Sequence, residues 1–324
     1  MSLAAAVPTL DLSDYTSCDT SLRSRAIATL GGALVDVGFV VVEGHAIEAR
    51  LIREVYALWQ RCFALDEAMK RRYAGVAGGA RGLTPFGVEH ARDSATPDLK
   101  EFWHVGPETP PAESLPQEVP PNVWPRELPE LRQPTIALFR ELERVAAVLL
   151  TALAEFFELP RETFAAMIHG GNSVLRILHY PPVPPAPPVP PAAAGPPALR
   201  AAPHEDINLI TLLCEATDSG LELLRRDGSW LPVAARPGQL VVDSGDMLCR
   251  LTNAVVPATT HRVVNPPASA NRDRYSMPFF VHPRAACDLA VLDRFVSAER
   301  PCRFPPILAG ELLDRRLREI GVKR

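Results

Sequence analysis

The sequence has no surplus of basic charge: 34 Lys and Arg stand against 38 Asp and Glu, a formal net charge of −4 over 324 residues. A chain so balanced is not built for a polyanion, so neither nucleic acid nor an anionic membrane surface is expected as a partner. No run of about 18 apolar residues occurs, so no membrane-spanning helix is expected. The opening Met-Ser-Leu-Ala-Ala-Ala-Val-Pro has no basic stretch leading into a long apolar core, so no secretory leader is expected. Six cysteines (Cys18, Cys62, Cys214, Cys249, Cys287 and Cys302) are scattered without a Cys-x-x-Cys pair. In a chain this size that pattern reads as reduced thiols of a cytoplasmic protein, not as a disulfide framework. What is abundant is proline, at 34 residues. The remaining composition, 47% hydrophobic and 22% charged, is that of a globular protein of one large domain or two.

The most informative stretch is Pro203-His204-Glu205-Asp206, taken with His261 and with Arg274-Tyr275-Ser276. In an extended strand, residues i and i+2 share a face. His204 and Asp206 therefore stand side by side, and Glu205 faces away. His261 comes late enough for the chain to return on a neighbouring strand. Two imidazoles and one carboxylate on one face of an octahedral ion form the facial triad of non-haem Fe(II) oxygenases, which keeps positions open for co-substrate and O2. Arg274 and Ser276 are a second i, i+2 pair, and a guanidinium fork beside a hydroxyl suits a carboxylate. Each pair alone is a common accident: His-x-Asp also reads as a polar strand end, and Arg274 as a surface ion pair. Their joint order and spacing favour a site. His282 is a rival third ligand but lies beyond Ser276, toward a turn at Pro283. Arg272 is the second choice for the carboxylate. His45 and His179 read as packing residues, and His104 as either cavity or packing.

In chain order, a strand over Thr9–Leu12 precedes a helix over 21–37, whose Leu22, Ile27, Leu30 and Leu34 recur at roughly helical spacing behind a Thr20 or Ser21 cap. Gly38-Phe39-Val40-Val41-Val42 predicts a buried strand. One long helix is predicted over 47–73, with Leu51, Val55, Leu58, Cys62 and Phe63 on one face. A loop with a short strand near Phe86 follows, then a strand over 100–105 and an exposed proline-rich connection over 106–134. Leu138, Leu142, Val145, Leu149 and Leu153 mark an amphipathic helix over 135–159, the main buttress of the sheet. The strand over 173–180 puts Arg176, Leu178 and Tyr180 on one face. Further strands are predicted over 207–213, 221–224, 230–233, 239–242, 247–252, 259–264 and 276–282, with Asp227-Gly228 as a hairpin turn. A final helix runs over 307–320 to a stop at Gly321. The fold class is mixed α and β: a double-stranded β-helix (jelly-roll) barrel buttressed by N-terminal and central helices.

Residues Pro181–Pro197 hold ten prolines. Without N–H donors they cannot join a sheet ladder, so a polyproline-like loop is expected beside the His204 strand. It reads first as an inert insertion, then as a lid, then as an SH3-type ligand.

Several motifs together resemble the isopenicillin-N-synthase-like family of Fe(II)/2-oxoglutarate-dependent dioxygenases. They are Ala202-Pro203-His204-x-Asp206, Pro237-Gly238-x-Leu240-Val241-Val242, Gly245-Asp246-Met247-Leu248, His261-Arg262-Val263-Val264-Asn265-Pro266 and Arg274-x-Ser276-x-Pro278-Phe279-Phe280. Val7-Pro8-x-Leu10-Asp11 and Gly38-Phe39-Val40 resemble the family's opening strands, and Lys100-Glu101-Phe102-Trp103-His104 a bacterial branch. The resemblance implies an N-terminal region over 1–135 and a catalytic jelly-roll over 136–324 in one compact unit. It implies Fe(II) on His204, Asp206 and His261, with no catalytic residue beyond the metal centre. It also implies 2-oxoglutarate held at its far carboxylate by Arg274 and Ser276 with Tyr180 nearby. The implied reaction oxidises, by default hydroxylates, an unactivated C–H bond of a small molecule with O2, releasing succinate and CO2. Two other readings stay open: an oxidase of the isopenicillin N synthase type that uses no 2-oxoglutarate, and an inactive binding protein. Substrate contacts are expected from loops over 81–98, the proline segment and the C-terminal helix.

Overall fold

The computed structural model describes residues 6–76, 80–90, 96–108, 119–183 and 198–319. Short runs with a two-residue period form the strands β1 (Thr9–Asp11), β2 (Phe39–Glu43), β3 (Gly82–Thr84), β4 (Glu101–Val105), β5 (Val174–Tyr180) and β6 (Ala201–His204). They continue as β7 (Ile210–Cys214), β8 (Leu221–Leu224), β9 (Trp230–Pro232), β10 (Leu240–Ser244), β11 (His261–Val263) and β12 (Arg274–Val281). One sheet has the order β1-β2-β10-β7-β12-β5-β4-β3, and the other β6-β11-β8-β9. Every named pairing is antiparallel except β1 with β2. Two antiparallel sheets with interleaved strand order form the jelly-roll barrel.

Strand alternation sorts the apolar side chains into two cores. Phe39, Phe102, Leu178, Leu223, Val241 and Val263 come from both sheets and fill the space between them. The outward side chains of the larger sheet, among them Leu175, Ile177, Leu212, Met277 and Phe279, join the helices in a second core. The helices are α1 (Leu12–Thr16), α2 (Thr20–Asp36), α3 (Ala49–Phe63), α4 (Glu67–Arg71), α5 (Arg132–Phe156), α6 (Ala165–Ile168), α7 (Asp246–Leu251) and α8 (Ala309–Glu319). α5 is the main buttress: Leu138, Leu142, Val145 and Leu149 are buried at alternating spacings of four and three. Phe139 of α5 meets Phe279 of β12 edge to face, at 4.9 Å between ring centroids. α2 lies close against α5, and a Cβ on Gly31 would fall 2.1 Å from the Phe156 ring. This face-sharing by α2, α5 and the outer sheet surface keeps the inner surface free to form a cavity.

Several local expectations are corrected. The cap of α2 is Asp19, not Thr20 or Ser21: its carboxylate accepts from Ser21 N at 2.8 Å and from Leu22 N at 3.3 Å. The helix predicted over 47–73 is two, α3 and α4, because Asp66 takes an extended conformation (ψ 140°). The break turns Lys70 inward onto Glu101, 2.8 Å away. The short strand expected near Phe86 is β3, at Gly82–Thr84, and Phe86 is 43% exposed. The connection over 106–134 is not simply exposed: Val119, Leu128 and Leu131 are buried, and Trp103 donates to Val123 O at 3.0 Å. The stretch 247–252 is helix, not strand, with Met247, Leu248 and Leu251 buried at i, i+1 and i+4. The strand expected from residue 207 begins at Ile210. Most of the Pro181–Pro197 segment, residues 184–197, and the helix end at Ile320 and Gly321 lie outside the described residues. Among the described residues no helix is long and apolar enough to cross a membrane.

Candidate metal and co-substrate site

β6 and β11 pair so that His204 lies opposite His261, with ring centroids 4.4 Å apart. β6 ends at His204, and the backbone then bends: Asp206 O accepts from Asp246 N at 2.8 Å. Asp206 is buried, whereas Glu205 is exposed and accepts from Thr260 Oγ1 at 3.3 Å. Strand parity therefore gives the right facing, although Asp206 lies beyond the strand. One ligand atom from each of His204, Asp206 and His261 lies within 4.8 Å of the other two. Each imidazole Nε2 is 3.9 Å from Asp206 Oδ1.

The donor set suits a divalent metal. His204 Nδ1 is 2.7 Å from Ala202 O, and His261 Nδ1 is 3.2 Å from Thr259 O. A carbonyl accepts only from N–H, so each Nδ1 carries the proton and each Nε2 keeps its lone pair. Burial, then the neighbouring His261, lowers the His204 imidazole to about 4, so it is neutral at physiological pH. Asp206 Oδ2 accepts the hydroxyl of Thr211, and Thr211 accepts from Asn208 Nδ2 at 2.8 Å. Next to this group Asp243 stands opposite Thr211 on β10, 3.9 Å from His261 Nδ1. Burial, then the Asp206 charge, pushes its carboxyl well above the usual range.

Arg274, Ser276 and Tyr180 line the same cavity as the triad. Arg274 faces Tyr180 across β12 and β5, with its guanidinium 4.9 Å from the Tyr180 ring centroid. It is 1% exposed. Its Nε donates to Asp218 O and Ser219 O, both at 3.1 Å, and its Nη1 to Ser276 Oγ at 3.4 Å. Among the described residues no carboxylate pairs with it. A buried arginine without a counter-ion, with a hydroxyl beside it, is a receptor for an incoming carboxylate.

The other candidates separate cleanly. Arg272 is turned to solvent on Asp218 at 3.0 Å. His282 stays outside the cluster of donors; its Nδ1 is buried without a partner among the described residues, and burial lowers it to about 4. His45 is buried against Gly238 O at 3.0 Å. His179 lies outside the barrel between Glu101 and Asp273, stacked on Tyr275 at 4.7 Å. His104 turns inward and accepts from Arg176 at 2.7 Å. Sequence reasoning missed Asn208, Thr211 and Asp243 around the carboxylate. Their one signal is alternation, which places Thr211 and Asp243 on the inner faces of β7 and β10.

A jelly-roll barrel with two imidazoles and a carboxylate converging in its cavity defines the non-haem iron oxygenase class. The 2OG-Fe(II) oxygenase superfamily model matches residues 171–283, and the model of the N-terminal region of the non-haem dioxygenase in morphine synthesis matches residues 7–127. The chain belongs to the 2OG-Fe(II) oxygenase family, isopenicillin N synthase-like, and is an Fe(II)- and 2-oxoglutarate-dependent dioxygenase. The 2-oxoglutarate-dependent dioxygenase citB of Monascus ruber is 30% identical over 89% of this chain and 88% of its own. A 2-oxoglutarate-Fe(II) type oxidoreductase of Aspergillus fumigatus is 29% identical over 96% of this chain and 92% of its own. The crystal structure of a 2OG-Fe(II) oxygenase family protein from Caulobacter crescentus superposes with a TM-score of 0.85 at 41% identity, covering 98% of this chain and 100% of that one. A full-length Neurospora crassa protein crystallised in complex with alpha-KG shares the fold, with a TM-score of 0.84 at 24% identity over 98% of both chains. Dependence on 2-oxoglutarate displaces the two other readings, the co-substrate-free oxidase and the inactive binding protein.

Proposed function

We propose that His204, Asp206 and His261 hold the Fe(II), and that Arg274 and Ser276, with Tyr180 alongside, hold the far carboxylate of 2-oxoglutarate. The reaction is hydroxylation of an unactivated C–H bond of a small molecule. The observation that carries this reading is the meeting, in one cavity, of three converging donors and a buried arginine that no carboxylate among the described residues pairs with. When bound, the iron with 2-oxoglutarate and O2 supplies the oxidising power, with succinate and CO2 as co-products.

The chain's own residues do the positioning. Ala202 O and Thr259 O fix the tautomer and tilt of the two imidazoles, so no proton has to leave before they bind a metal. Thr211 holds one carboxylate oxygen of Asp206 and leaves Oδ1 facing the imidazoles. Burial and the Asp206 charge raise the Asp243 carboxyl and so disfavour a second negative charge beside the cluster. Arg274 and Ser276 offer two donors to a carboxylate, while Leu178, Leu213, Val241 and Val263 keep the cavity wall apolar and exclude water. All six cysteines are unpaired, and we read the protein as cytoplasmic on that ground.

The test is anaerobic titration with Fe(II) and then 2-oxoglutarate, followed by visible absorption. A metal-to-ligand charge-transfer band that appears in the wild type, weakens in Arg274→Ala and is absent in Asp206→Ala is the expected result. A band indifferent to Arg274 would overturn the assignment of the carboxylate anchor, and metal binding indifferent to Asp206 that of the triad.

A further inference from the structure

The two imidazoles of the metal cluster are not held alike. His261 lies on β11, an inner strand with ladder partners on both sides, β6 and β8. His204 lies on β6, the last strand of its sheet among the described residues. The ladder between β6 and β11 also shifts register: His204 stands opposite His261, but Ala201 stands opposite Val263. Ala202 and Pro203 therefore face the single residue Arg262, which makes a bulge. Pro203 has no N–H to offer. The strand that ends at His204 is thus short, bulged and paired on one side only, and its outer row of backbone groups needs partners from elsewhere.

The segment just before β4 supplies those partners. Leu99 N donates to Leu199 O at 3.0 Å, and Ala202 N donates to Asp98 Oδ1 at 2.9 Å. The carbonyl of the same Ala202 is the acceptor that holds His204 Nδ1 at 2.7 Å. Asp98 is 3% exposed, and its other oxygen accepts from Lys100 Nζ at 2.8 Å. Lys100 is buried too, lines the cavity and shares Glu89 at 2.9 Å, which also takes Arg176 at 3.0 Å. Burial works against the Lys100 charge, but Glu89 and Asp98 outweigh it and keep the ammonium above its ordinary range. The Asp98 carboxylate therefore meets two donors at once, a fixed cation on one oxygen and the bulged edge on the other. Glu89 already gives Lys100 a counter-ion; what Asp98 adds is the contact to β6.

We propose that Asp98 is a positioning residue of the metal centre: anchored on Lys100, it pins Ala202, and through the Ala202 carbonyl it sets the place of the His204 imidazole. The segment 98–99 stands in for a neighbouring strand that β6 lacks among the described residues. His261, on an inner strand, needs no such tie. The inference rests on the reading of His204, Asp206 and His261 as the iron site.

The test compares two isosteric variants of the full chain, Asp98→Asn and Glu89→Gln. Each takes one carboxylate charge from Lys100. The two donors sit on different oxygens of Asp98, and asparagine puts an amide donor in place of one of them, so the tie is broken. Glu89→Gln leaves it intact. In anaerobic Fe(II) titration the dissociation constant rises about 10-fold in Asp98→Asn, the scale for loss of an outer support, and is unchanged in Glu89→Gln. Proton NMR of the Co(II)-loaded protein reads the imidazoles directly, through two exchangeable, metal-shifted Nδ1–H signals in the wild type. In Asp98→Asn one signal shifts and exchanges faster with solvent while the other stays; a general loss of stability moves both. Asp98→Glu keeps the charge cluster neutral, and with it the fold, while displacing the oxygen from Ala202, and it gives the same change in one signal. Fe(II) affinity equal to wild type in Asp98→Asn, equal losses in Asp98→Asn and Glu89→Gln, or two unchanged signals in both Asp98 variants overturns the inference. A wild type that binds no Fe(II), or lacks the two signals when loaded with Co(II), instead overturns the iron reading, and this inference with it.

Discussion

The hydroxyl of Thr211 donates its proton to Asp206 Oδ2 and accepts from the Asn208 amide. A hydroxyl has one proton to give, so the amide fixes its direction toward the carboxylate. Thr211→Val keeps the shape and removes that donor. Loss of such an outer support weakens metal binding by about 10- to 100-fold. Anaerobic Fe(II) titration measures it, and an unchanged affinity would show that Asp206 needs no such support.

Arg274 is buried with carbonyls and a hydroxyl as its partners, while Arg272 is exposed on Asp218. Arg274→Met is therefore expected to raise the 2-oxoglutarate dissociation constant by about 10- to 100-fold, the range for a lost charge-assisted hydrogen bond. Arg272→Ala leaves it within about fivefold, since an exposed ion pair contributes at most about 1 kcal/mol. Titration of the charge-transfer band separates the two, and equal effects would contradict the assignment.

Burial, then Asp206, raises the Asp243 carboxyl far above its ordinary value of 3.8. The folded metal-free protein therefore binds a proton at Asp243 that the unfolded chain releases as pH rises above about 4. Stability falls with rising pH over that interval, up to the raised folded value. Asp243→Asn removes the cost, so metal-free Asp243→Asn should melt above the wild type at pH 7, with the gap closing toward pH 4. Thermal melts across pH decide it; a variant less stable than wild type at pH 7 would mean that the carboxyl is ionised there.

Glu89 behaves in the opposite sense. Burial opposes its charge, but Arg176 and Lys100 outweigh burial and hold the carboxyl far below 4.5. Its contribution is present above the unfolded value and declines as pH falls below it toward the depressed folded value. Breaking a buried ion pair costs about 3–5 kcal/mol, so Glu89→Gln should be destabilised by an amount of that order at pH 7. The difference from wild type should shrink on acidification below about pH 4, as read by chemical denaturation. A difference that stays constant from pH 7 to 3 would remove the ionic explanation.

Local signals located much of this chain. The four-and-three spacing in α5 named the buttressing helix, and alternation at His204 and Asp206 turned the buried carboxylate inward while Glu205 stayed exposed. The same alternation set Arg176 and Tyr180 on one face of β5. Local signals failed where two structures share one pattern. Met247–Thr252 is short and apolar and fits strand or helix alone; its burial against the barrel selected the helix. The helix predicted through Ala64–Asp66 is broken at Asp66, and the break brings Lys70 onto Glu101, a partner on another strand that no local pattern names.

The sequence by itself determined which side chains share a face, because periods of two and of 3.6 residues are properties of the local backbone. It therefore determined the barrel class and the likeness of its motifs to a known family. Only the tertiary structure decided which faces meet. It put Asp243 and Thr211 beside Asp206, left Arg274 without a counter-ion among the described residues, and joined Glu89, Asp98, Lys100 and Arg176 into one neutral cluster. Those relations depend on strand register and on closure of two sheets around a cavity. They set the burial and charge environment of each group, and no spacing along the chain encodes them.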